Sequence, residues 1–321
     1  MGQRAASVMS SVAGMVLMAA AGVAAAQGWR PPADAQRCPS KWGANDERGA
    51  ANHMKPDTVL RATKLIRTGE VIELGHTLNA PSSNSPARVF SMFTKRSAQA
   101  PGVNQRGGNE EIVTTELGQI GTQFDAFPHQ MIANRMYNCF KLEDVETRTG
   151  FTKLGVENVG MIFTRGVLID VAGFKGVDML GDNYEITVDD LQQALAQQKL
   201  SLQPGDAVLI NTGWGKLWGK DSVRYTRSNP GIGIAAAEWL AKQDPILIGA
   251  DNAPVEVSPN PDKQLSLPVH QIALVVYGIH LLENLKLEEL ATKRVHEFAL
   301  TMQPLKLKGG TGSTVAPAAI R

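Results

Sequence analysis

The sequence is poor in cysteine and in aromatic residues, and neither sign of charge is in excess. Its 321 residues include 2 cysteines, which excludes a disulfide-rich scaffold and a cysteine-type zinc module. Aromatic residues make up 6%, too few for a surface on which nucleic-acid bases stack. Lysine and arginine number 32 against 31 acidic residues, so no basic excess is available for phosphate groups. We therefore expect a small molecule, and no nucleic acid, as the partner.

The one apolar run long enough to be considered as a signal segment or a membrane span lies near the N-terminus. Residues 1–26 carry one charge, Arg4, followed by a stretch rich in alanine and glycine and by three alanines at 24–26. This pattern predicts a secretory signal cleaved near Ala26. A membrane anchor is the disfavoured alternative, because a span needs about 20 strongly apolar residues. We expect a mature chain of residues 27–321 without a membrane span, exported to the periplasm or secreted.

Export gives the two cysteines a possible role. In an oxidising compartment Cys38 and Cys139 can form a disulfide. The alternative is that both are buried as small apolar side chains. The two possibilities are equally favoured by the sequence.

The remainder of the chain predicts one mixed α/β domain with an N-terminal extension. Apolar residues at helical spacing, with capping residues, predict helices over residues 57–67, 187–195, 234–243 and 268–277. Short apolar runs bounded by turn residues predict strands over 71–78, 207–212, 246–251 and 279–284, and residues 161–171 are predicted as a strand pair or one long bent strand. Residues 81–110 show little periodicity, so we predict a long loop there and a candidate lid over a binding site.

Two glycine-rich segments do not predict a nucleotide cofactor. Residues 231–236 fit the G-x-G-x-x-A pattern, but the residues before them do not predict the strand that a dinucleotide site needs. Residues 213–220 have the wrong glycine spacing for a phosphate loop, and Asp221 stands where serine or threonine would bind magnesium. The absence of a G-x-S-x-G motif also weakens a serine hydrolase interpretation.

One short segment gathers residues that carry chemistry. Residues 117–129 contain two amides (Gln119 and Gln123), the carboxylate of Asp125 and the imidazole of His129. The Gly-Thr pair between the amides can turn the chain so that these side chains converge. Taken alone, the cluster equally favours a functional site and a polar loop with a structural histidine.

The segment resembles the signature His-x-Gly-Thr-His-x-Asp-x-x-x-His of the cyclase family, which includes bacterial kynurenine formamidase and isatin hydrolase. His270 and Glu283 resemble the distal histidine and glutamate of that family. Further similar segments lie at residues 166–170, 204–206, 249–251 and 308–313, so the resemblance covers about residues 41–319. It implies a swivelling β/β/α-type fold, a divalent metal and hydrolysis of an amide, lactam or imide bond.

The resemblance also implies roles for individual residues. Asp125, His270 and Glu283 would bind the metal, and His129 would be the acid/base or a further ligand. Gln119 and Gln123 occupy two ligand positions where the signature has histidine. A glutamine offers only a neutral oxygen, which favours a harder ion such as manganese over zinc and makes a two-zinc centre doubtful. The Gly-Thr-Gln-x-Asp form resembles a recurrent subgroup of the family.

Two further residues belong to the predicted site. Trp42 lies in a segment similar to one near the family's N-terminus, and it either lines the substrate pocket or is an ordinary packed tryptophan. Asp251 ends an apolar strand, where we expect it to support the ligands without touching the metal. The remaining histidines are interpreted as structural: His53, His76, His280 and His296. Family resemblance implies a homodimer or a larger oligomer.

Three functions remain open from the sequence. The first is a metal-dependent hydrolase that acts on a carbon–nitrogen bond other than a peptide bond. The second is a cyclase or lyase of the same fold that uses metal-polarised proton transfer. The third is a periplasmic binding protein in which the two glutamines have abolished metal catalysis.

Overall fold

The structure is a computed structural model that describes residues 1–2, 28–78, 88–97 and 102–321. Almost all of the predicted signal segment, and part of the loop predicted over residues 81–110, lie outside these described residues.

The described chain contains short strands and short helices in alternation. In chain order the strands are β1 (Val71–Glu73), β2 (Phe90–Arg96), β3 (Asn109–Thr115), β4 (Gln123–Asp125), β5 (Glu146–Thr147), β6 (Gly150–Phe151), β7 (Ile162–Asp170), β8 (Glu185–Ile186), β9 (Ala207–Asn211), β10 (Gly231–Ile232), β11 (Leu247–Ala250), β12 (His280–Glu283), β13 (Glu297–Met302), β14 (Gly312–Thr314) and β15 (Ala318–Ile320). The α-helices are α1 (Asp34–Arg37), α2 (Pro56–Thr63), α3 (Leu142–Val145), α4 (Val171–Phe174), α5 (Val188–Gln198), α6 (Ser222–Arg227), α7 (Ile234–Lys242), α8 (Pro268–His270) and α9 (Glu288–Thr292). Single-turn 3-10 helices occupy Gly49–His53, Phe127–His129, Tyr137–Cys139, Val156–Asn158 and Trp214–Leu217, and a π-helix spans Gln271–Tyr277.

A nine-stranded sheet organises the described residues, in the order β1-β15-β13-β7-β9-β11-β12-β4-β14. The central strands β7, β9, β11 and β12 are parallel, and the strands on either side of them pair antiparallel. Smaller two-stranded sheets are formed by β2 with β3, β5 with β6, and β8 with β10.

Both faces of the central sheet are buried. Alternate residues of β9 enter different cores: Val208 and Ile210 pack on the side of α5, α7 and the π-helix, whereas Ala207 and Leu209 pack on the opposite side. The same alternation holds on β7, where Leu168 points to the second core. A parallel strand covered on both faces must be apolar along its whole length, and this explains the continuous apolar runs in the sequence.

Most of the predicted elements are present. α5 begins where predicted, with Thr187 as its cap: the Thr187 hydroxyl accepts from the backbone N–H of Asp190, and the Asp190 carboxylate accepts from that of Thr187. Within residues 161–171 the structure has one continuous strand, Ile162–Asp170, rather than a strand pair. Helix α2 begins at Pro56 and ends at Thr63, four residues before the predicted end.

Three predictions of local structure were wrong in part. Of the strand predicted over residues 71–78, only Val71–Glu73 (β1) form a strand. The helix predicted over 268–277 begins at Pro268 and ends before Gly278 as expected, but it continues from α8 as a π-helix. Residues 90–96 lie within the loop predicted over 81–110, but they pair with residues 109–115 as a β-hairpin in register Phe90↔Thr115 to Arg96↔Asn109. Its strands are largely exposed on both faces, so the sequence there has no amphipathic alternation to detect.

The disulfide that the sequence left open is confirmed. Cys38 and Cys139 are bonded, with their Cα atoms 6.0 Å apart. Next to this bond, the side chain of Asn138 accepts from the backbone N–H of Ser40 and donates to the carbonyls of residues 43, 44 and 46. The disulfide and the amide together fasten the N-terminal segment to the body of the domain. Within the described residues, no helix has the length and apolar character needed to cross a membrane.

Candidate metal centre

Two neighbouring strands place three of the predicted site residues on one surface. Gln123 and Asp125 are two residues apart on β4, so their side chains leave the same face of the sheet. In the antiparallel pair of β4 and β12, Glu283 lies directly opposite Gln123. Sheet register, and not sequence proximity, therefore brings the distal glutamate to the signature segment.

The Gly-Thr pair makes the turn that precedes β4. Gly121 adopts φ +70°, a conformation that favours glycine. The hydroxyl of Thr122 donates to the carbonyl of Asn284 at 2.7 Å and accepts from the backbone N–H of His76 at 2.9 Å. These contacts anchor the turn to the residue that follows Glu283.

Two buried residues and one half-buried residue form the centre of the site. Asp125 Oδ2 lies 4.0 Å from His129 Nε2 and 3.8 Å from His270 Nε2. One potential ligand atom from each of these residues lies within 4.8 Å of the others. Asp125 Oδ2 is buried and has no hydrogen-bond partner among the residues that the structure describes. A buried carboxylate oxygen without a partner is costly, which indicates that a further group completes the site.

His270 is held between two carboxylates. Its Nδ1–H donates to Glu256 Oε1 at 2.6 Å, and its Nε2 lies 3.2 Å from Glu283 Oε1. The imidazole is 3% exposed, so both contacts are shielded from water.

The two glutamines direct their amide nitrogens toward acceptors. Gln123 Nε2 donates to Glu283 Oε2 at 2.6 Å. Gln119 Nε2 lies 3.1 Å from His129 Nδ1 and 3.4 Å from Asp125 Oδ1. The carboxylate contact requires the amide nitrogen on that side, so Gln119 donates and His129 Nδ1 accepts. Coordination of a metal by Gln119 or Gln123 stays a prediction; in this arrangement both residues are hydrogen-bond donors.

Burial and neighbouring charges move the pKa values of the cluster in different directions. Burial raises the pKa of Asp125 to about 6, although His129 and His270 oppose the change. Burial lowers the pKa of His129, with Asp125 acting against it. Burial alone would also lower the pKa of His270, but hydrogen bonds to Glu256 and Glu283 raise it well above its usual value. Buried acids and bases with opposing shifts are typical of functional sites.

A cavity of about 340 Å³ opens onto the cluster. Its wall includes Gln119, Gln123, His129, His270 and Glu283, so it gives a small molecule access to the site. Arg88, at the base of the β2–β3 hairpin, supplies the one cationic side chain among the described residues that line this cavity, and it is paired with Glu116 at 3.1 Å.

Trp42 and Asp251 are not among the residues that line the cavity at the cluster, and the roles predicted for them stay predictions. Trp42 lines a separate cavity of about 620 Å³ beside the N-terminal segment, because the segment that carries it is fastened there by the disulfide. Asp251 is buried, and its carboxylate accepts from the backbone N–H groups of Thr212 and Gly215. It therefore anchors the loop after β9, and no hydrogen bond joins its carboxylate to the cluster.

Glu256 belongs to the site but was not predicted from the sequence. It is fully buried, and its carboxylate makes the shortest hydrogen bond to His270. The available signal was a lone acid between Val255 and Val257, since a charge in an apolar run needs a partner. The four histidines interpreted as structural take no part in the cluster; His280, for example, stacks on Phe127 at 4.3 Å.

The residues present suit a divalent metal. The donors are carboxylate oxygens and imidazole nitrogens, the ligand types that zinc and manganese accept. Asp125 Oδ2 faces both imidazole Nε2 atoms without a hydrogen-bond partner, as expected of an atom reserved for a cation. Asp125, His270 and Glu283 would hold the metal, with His129 beside them.

Comparison with known proteins identifies the family of the chain. Residues 57–257 match the sequence profile of the family named Cyclase, described as "Putative cyclase". A crystal structure titled as that of a novel cyclase is 31% identical, with a TM-score of 0.79, covering 88% of this chain and 98% of that one. A search of curated proteins gave no match.

Isatin hydrolases share the fold. Isatin hydrolase A from Ralstonia solanacearum is 22% identical, with a TM-score of 0.56, over 84% of this chain and 99% of its own. Isatin hydrolase A from Labrenzia aggregata, bound to benzyl benzoate, is 19% identical, with a TM-score of 0.55, over 80% and 94%. These similarities confirm the predicted fold class, a single-domain α/β cyclase fold. With the profile match extending over more than half of its residues, the chain belongs to the cyclase family.

Proposed function

We propose that this protein is a metal-dependent hydrolase of a carbon–nitrogen bond in a small amide, lactam or imide. The observation that carries the proposal is the unpartnered Oδ2 of Asp125, which faces His129 and His270 beside an open cavity. Membership of the cyclase family supports the same chemistry.

The ligands are held by their neighbours before any metal arrives. The amide of Gln123 donates a hydrogen bond to Oε2 of Glu283, and Oε1 of the same carboxylate lies next to His270. When bound, a divalent cation supplies Lewis acidity, which polarises a carbonyl and makes a water molecule more acidic. Asp125, His270 and Glu283 would hold it, and their oxygen-rich set suits manganese or zinc.

His129 supplies the mobile proton. Its Nδ1 accepts from Gln119, so in the neutral ring the proton sits on Nε2. The imidazole is 21% exposed, and it lines the cavity where the substrate would lie. General acid catalysis requires the imidazolium form of this ring, because a neutral imidazole does not release its remaining proton near neutral pH. In that form Nδ1 also carries a proton, with the Gln119 amide turned so that its oxygen accepts it. Transfer of the Nε2 proton to the departing nitrogen then leaves a neutral ring.

The test joins metal analysis to substrate turnover. We expect one equivalent of manganese or zinc per chain in the wild type, lost in His270→Ala and kept in His296→Ala, which removes a histidine outside the cluster. Hydrolysis should be measured on a panel of formamides, lactams and imides that includes isatin and N-formylkynurenine. We expect weak turnover of these two, because glutamine replaces histidine at two positions. A metal-free wild type that binds a small ligand and hydrolyses nothing would refute the proposal in favour of a binding protein.

We also propose that the protein is exported, with residues 1–26 removed. The Cys38–Cys139 disulfide supports this, because such bonds persist in oxidising compartments. N-terminal sequencing of the protein recovered from the periplasm should begin near Gln27. A full-length chain retained in the cytoplasm would contradict the proposal.

We propose a homodimer as the assembly. Val89 and the hairpin residues Met92, Phe93, Ile112 and Val113 are 47–63% exposed, and an isolated two-stranded sheet is marginally stable in water. Burial of these side chains against a second copy would explain their character. Light scattering should give twice the chain mass for the wild type and a lower mass for Phe93→Ser. A monomeric wild type would exclude this assembly.

A further inference from the structure

The carboxylate of Glu256 makes three hydrogen bonds at one end of α8. Its Oε1 accepts from the backbone N–H of His270 at 3.1 Å and from the ring Nδ1–H at 2.6 Å. Its Oε2 accepts from the backbone N–H of Val269 at 3.1 Å. Glu256 therefore hydrogen-bonds to both the backbone and the ring of His270, which fixes the orientation of the imidazole.

These bonds determine which ring nitrogen faces the cluster. With Nδ1 tied to Glu256, Nε2 points to the opposite side, 3.2 Å from Glu283 Oε1 and 3.8 Å from Asp125 Oδ2. A neutral imidazole has one lone pair, and it lies on the nitrogen that carries no proton. Once Nε2 loses its own proton on metal binding, the proton held at Nδ1 by Glu256 leaves the lone pair at Nε2, next to both carboxylates.

Glu256 is not itself placed as a ligand. Both of its oxygens are engaged by N–H groups, and it is absent from the lining of the cavity. The side chain is 1% exposed, so the bond to His270 operates away from water. A buried carboxylate that fixes a histidine in this way also increases the basicity of the opposite nitrogen.

We propose that Glu256 is a positioning residue that commits Nε2 of His270 to metal binding. The inference rests on the proposed function, because it requires that the cluster hold a divalent metal. Glu256 acts through His270 and touches neither metal nor substrate.

Metal affinity gives the first measurement. Isothermal titration of the metal-free protein with Zn²⁺ alone, and separately with Mn²⁺ alone, should show a dissociation constant about 10–100-fold higher in Glu256→Gln than in the wild type. The matched control is Asp251→Asn, which neutralises another buried carboxylate whose hydrogen bonds lie outside the cluster. We expect its dissociation constant to stay within about twofold of the wild-type value, since it contacts no ligand.

A spectroscopic signature separates positioning from general loss of structure. In the zinc-loaded wild type, the Nδ1–H proton of His270 should give a downfield imidazole resonance that exchanges slowly, because it is buried and bonded to a carboxylate. Glu256→Gln should move this resonance upfield or remove it, whereas Asp251→Asn should keep it.

The outcomes separate the inference from the proposed function. A wild type that binds neither metal refutes the proposed function. A wild type that binds metal, together with a folded Glu256→Gln variant of equal affinity and unchanged resonance, overturns the inference alone. If Glu256→Gln does not fold, the wild-type signature decides: a zinc-loaded His270 that carries its proton on Nε2, or has no proton on Nδ1, overturns the proposal.

Discussion

Removal of the Cys38–Cys139 disulfide should lower the free energy of unfolding by several kcal/mol. The bond joins residues 101 positions apart, so it closes a large loop in the unfolded chain. The chain-entropy relation gives about 16 cal/mol/K for a loop of this size, or about 4.7 kcal/mol at 25 °C. Native contacts that persist without the bond, such as those of Asn138 with the N-terminal segment, do not alter this unfolded-state contribution.

The loss is measured with the double variant Cys38→Ser/Cys139→Ser by equilibrium urea unfolding. We expect a loss of about 3–5 kcal/mol, because measured values often fall below the entropic limit. At about 2 °C per kcal/mol for a domain of this size, the melting temperature should fall by about 6–10 °C. The control is reduced wild type, whose unfolding curve should coincide with that of the double variant.

A loss of less than about 1 kcal/mol of unfolding free energy in the double variant, with the oxidised wild type shown by mass to carry the bond, would refute this prediction. That result would mean that the N-terminal segment detaches before the domain unfolds, so that the bond closes no loop in the cooperative transition. Proteolysis within residues 28–45 of the folded double variant would then be rapid.

Three further perturbations test the site and its surroundings. Asp125→Asn should abolish stoichiometric metal binding yet stabilise the metal-free protein at pH 7 by about 1–3 kcal/mol. Burial raises the pKa of Asp125 to about 6, so the charged carboxylate destabilises the fold increasingly as pH rises from about 4 through 6. Equal or lower stability of the variant in urea unfolding would contradict this. Gln123→His should increase affinity for Zn²⁺ relative to Mn²⁺ by at least about tenfold in parallel titrations, since imidazole is the softer ligand; an unchanged ratio would show that position 123 does not contact the metal. Burial lowers the pKa of His76 to about 4, so its neutral form is favoured in the fold and stability is lost as pH falls from about 6.5 to 4. His76→Phe keeps the stacking on Trp218 but cannot be protonated. Because the His76 ring is partly exposed, we expect this variant to lose only about 1 kcal/mol less unfolding free energy than the wild type between pH 7 and pH 4, as measured by urea unfolding.

Local signals in the sequence were sufficient for much of the fold. The cap at Thr187 and the turn at residues 204–206 operate through neighbours in the chain, so α5 and β9 were predictable. The β2–β3 hairpin was not, because strands exposed on both faces lack the alternation that marks a half-buried strand. The π-helix after α8 has the same apolar pattern as an α-helix, and only backbone geometry distinguishes it.

Some features of the candidate site were likewise predictable from the sequence, and others were not. The signature segment and the family resemblance pointed to Asp125, His129, His270 and Glu283, and the structure brings all four together. The orientation of the two glutamine amides was not predictable, since it depends on which acceptors surround them. Glu256 could not be predicted as a partner of His270 from the sequence. The two residues are 14 positions apart, and their contact depends on how α8 packs against the segment that carries Glu256.

The sequence by itself determined the residue types of the site, the mixed α/β composition and the presence of two cysteines. These properties depend on chemistry and on periodicity, which are local. The tertiary structure decided the pairing of Glu283 with Gln123 through strand register, the placement of Trp42 in a separate cavity, and the unpartnered oxygen of Asp125. Each of these depends on contacts between segments far apart in the chain, and such contacts are formed only when the two cores are packed.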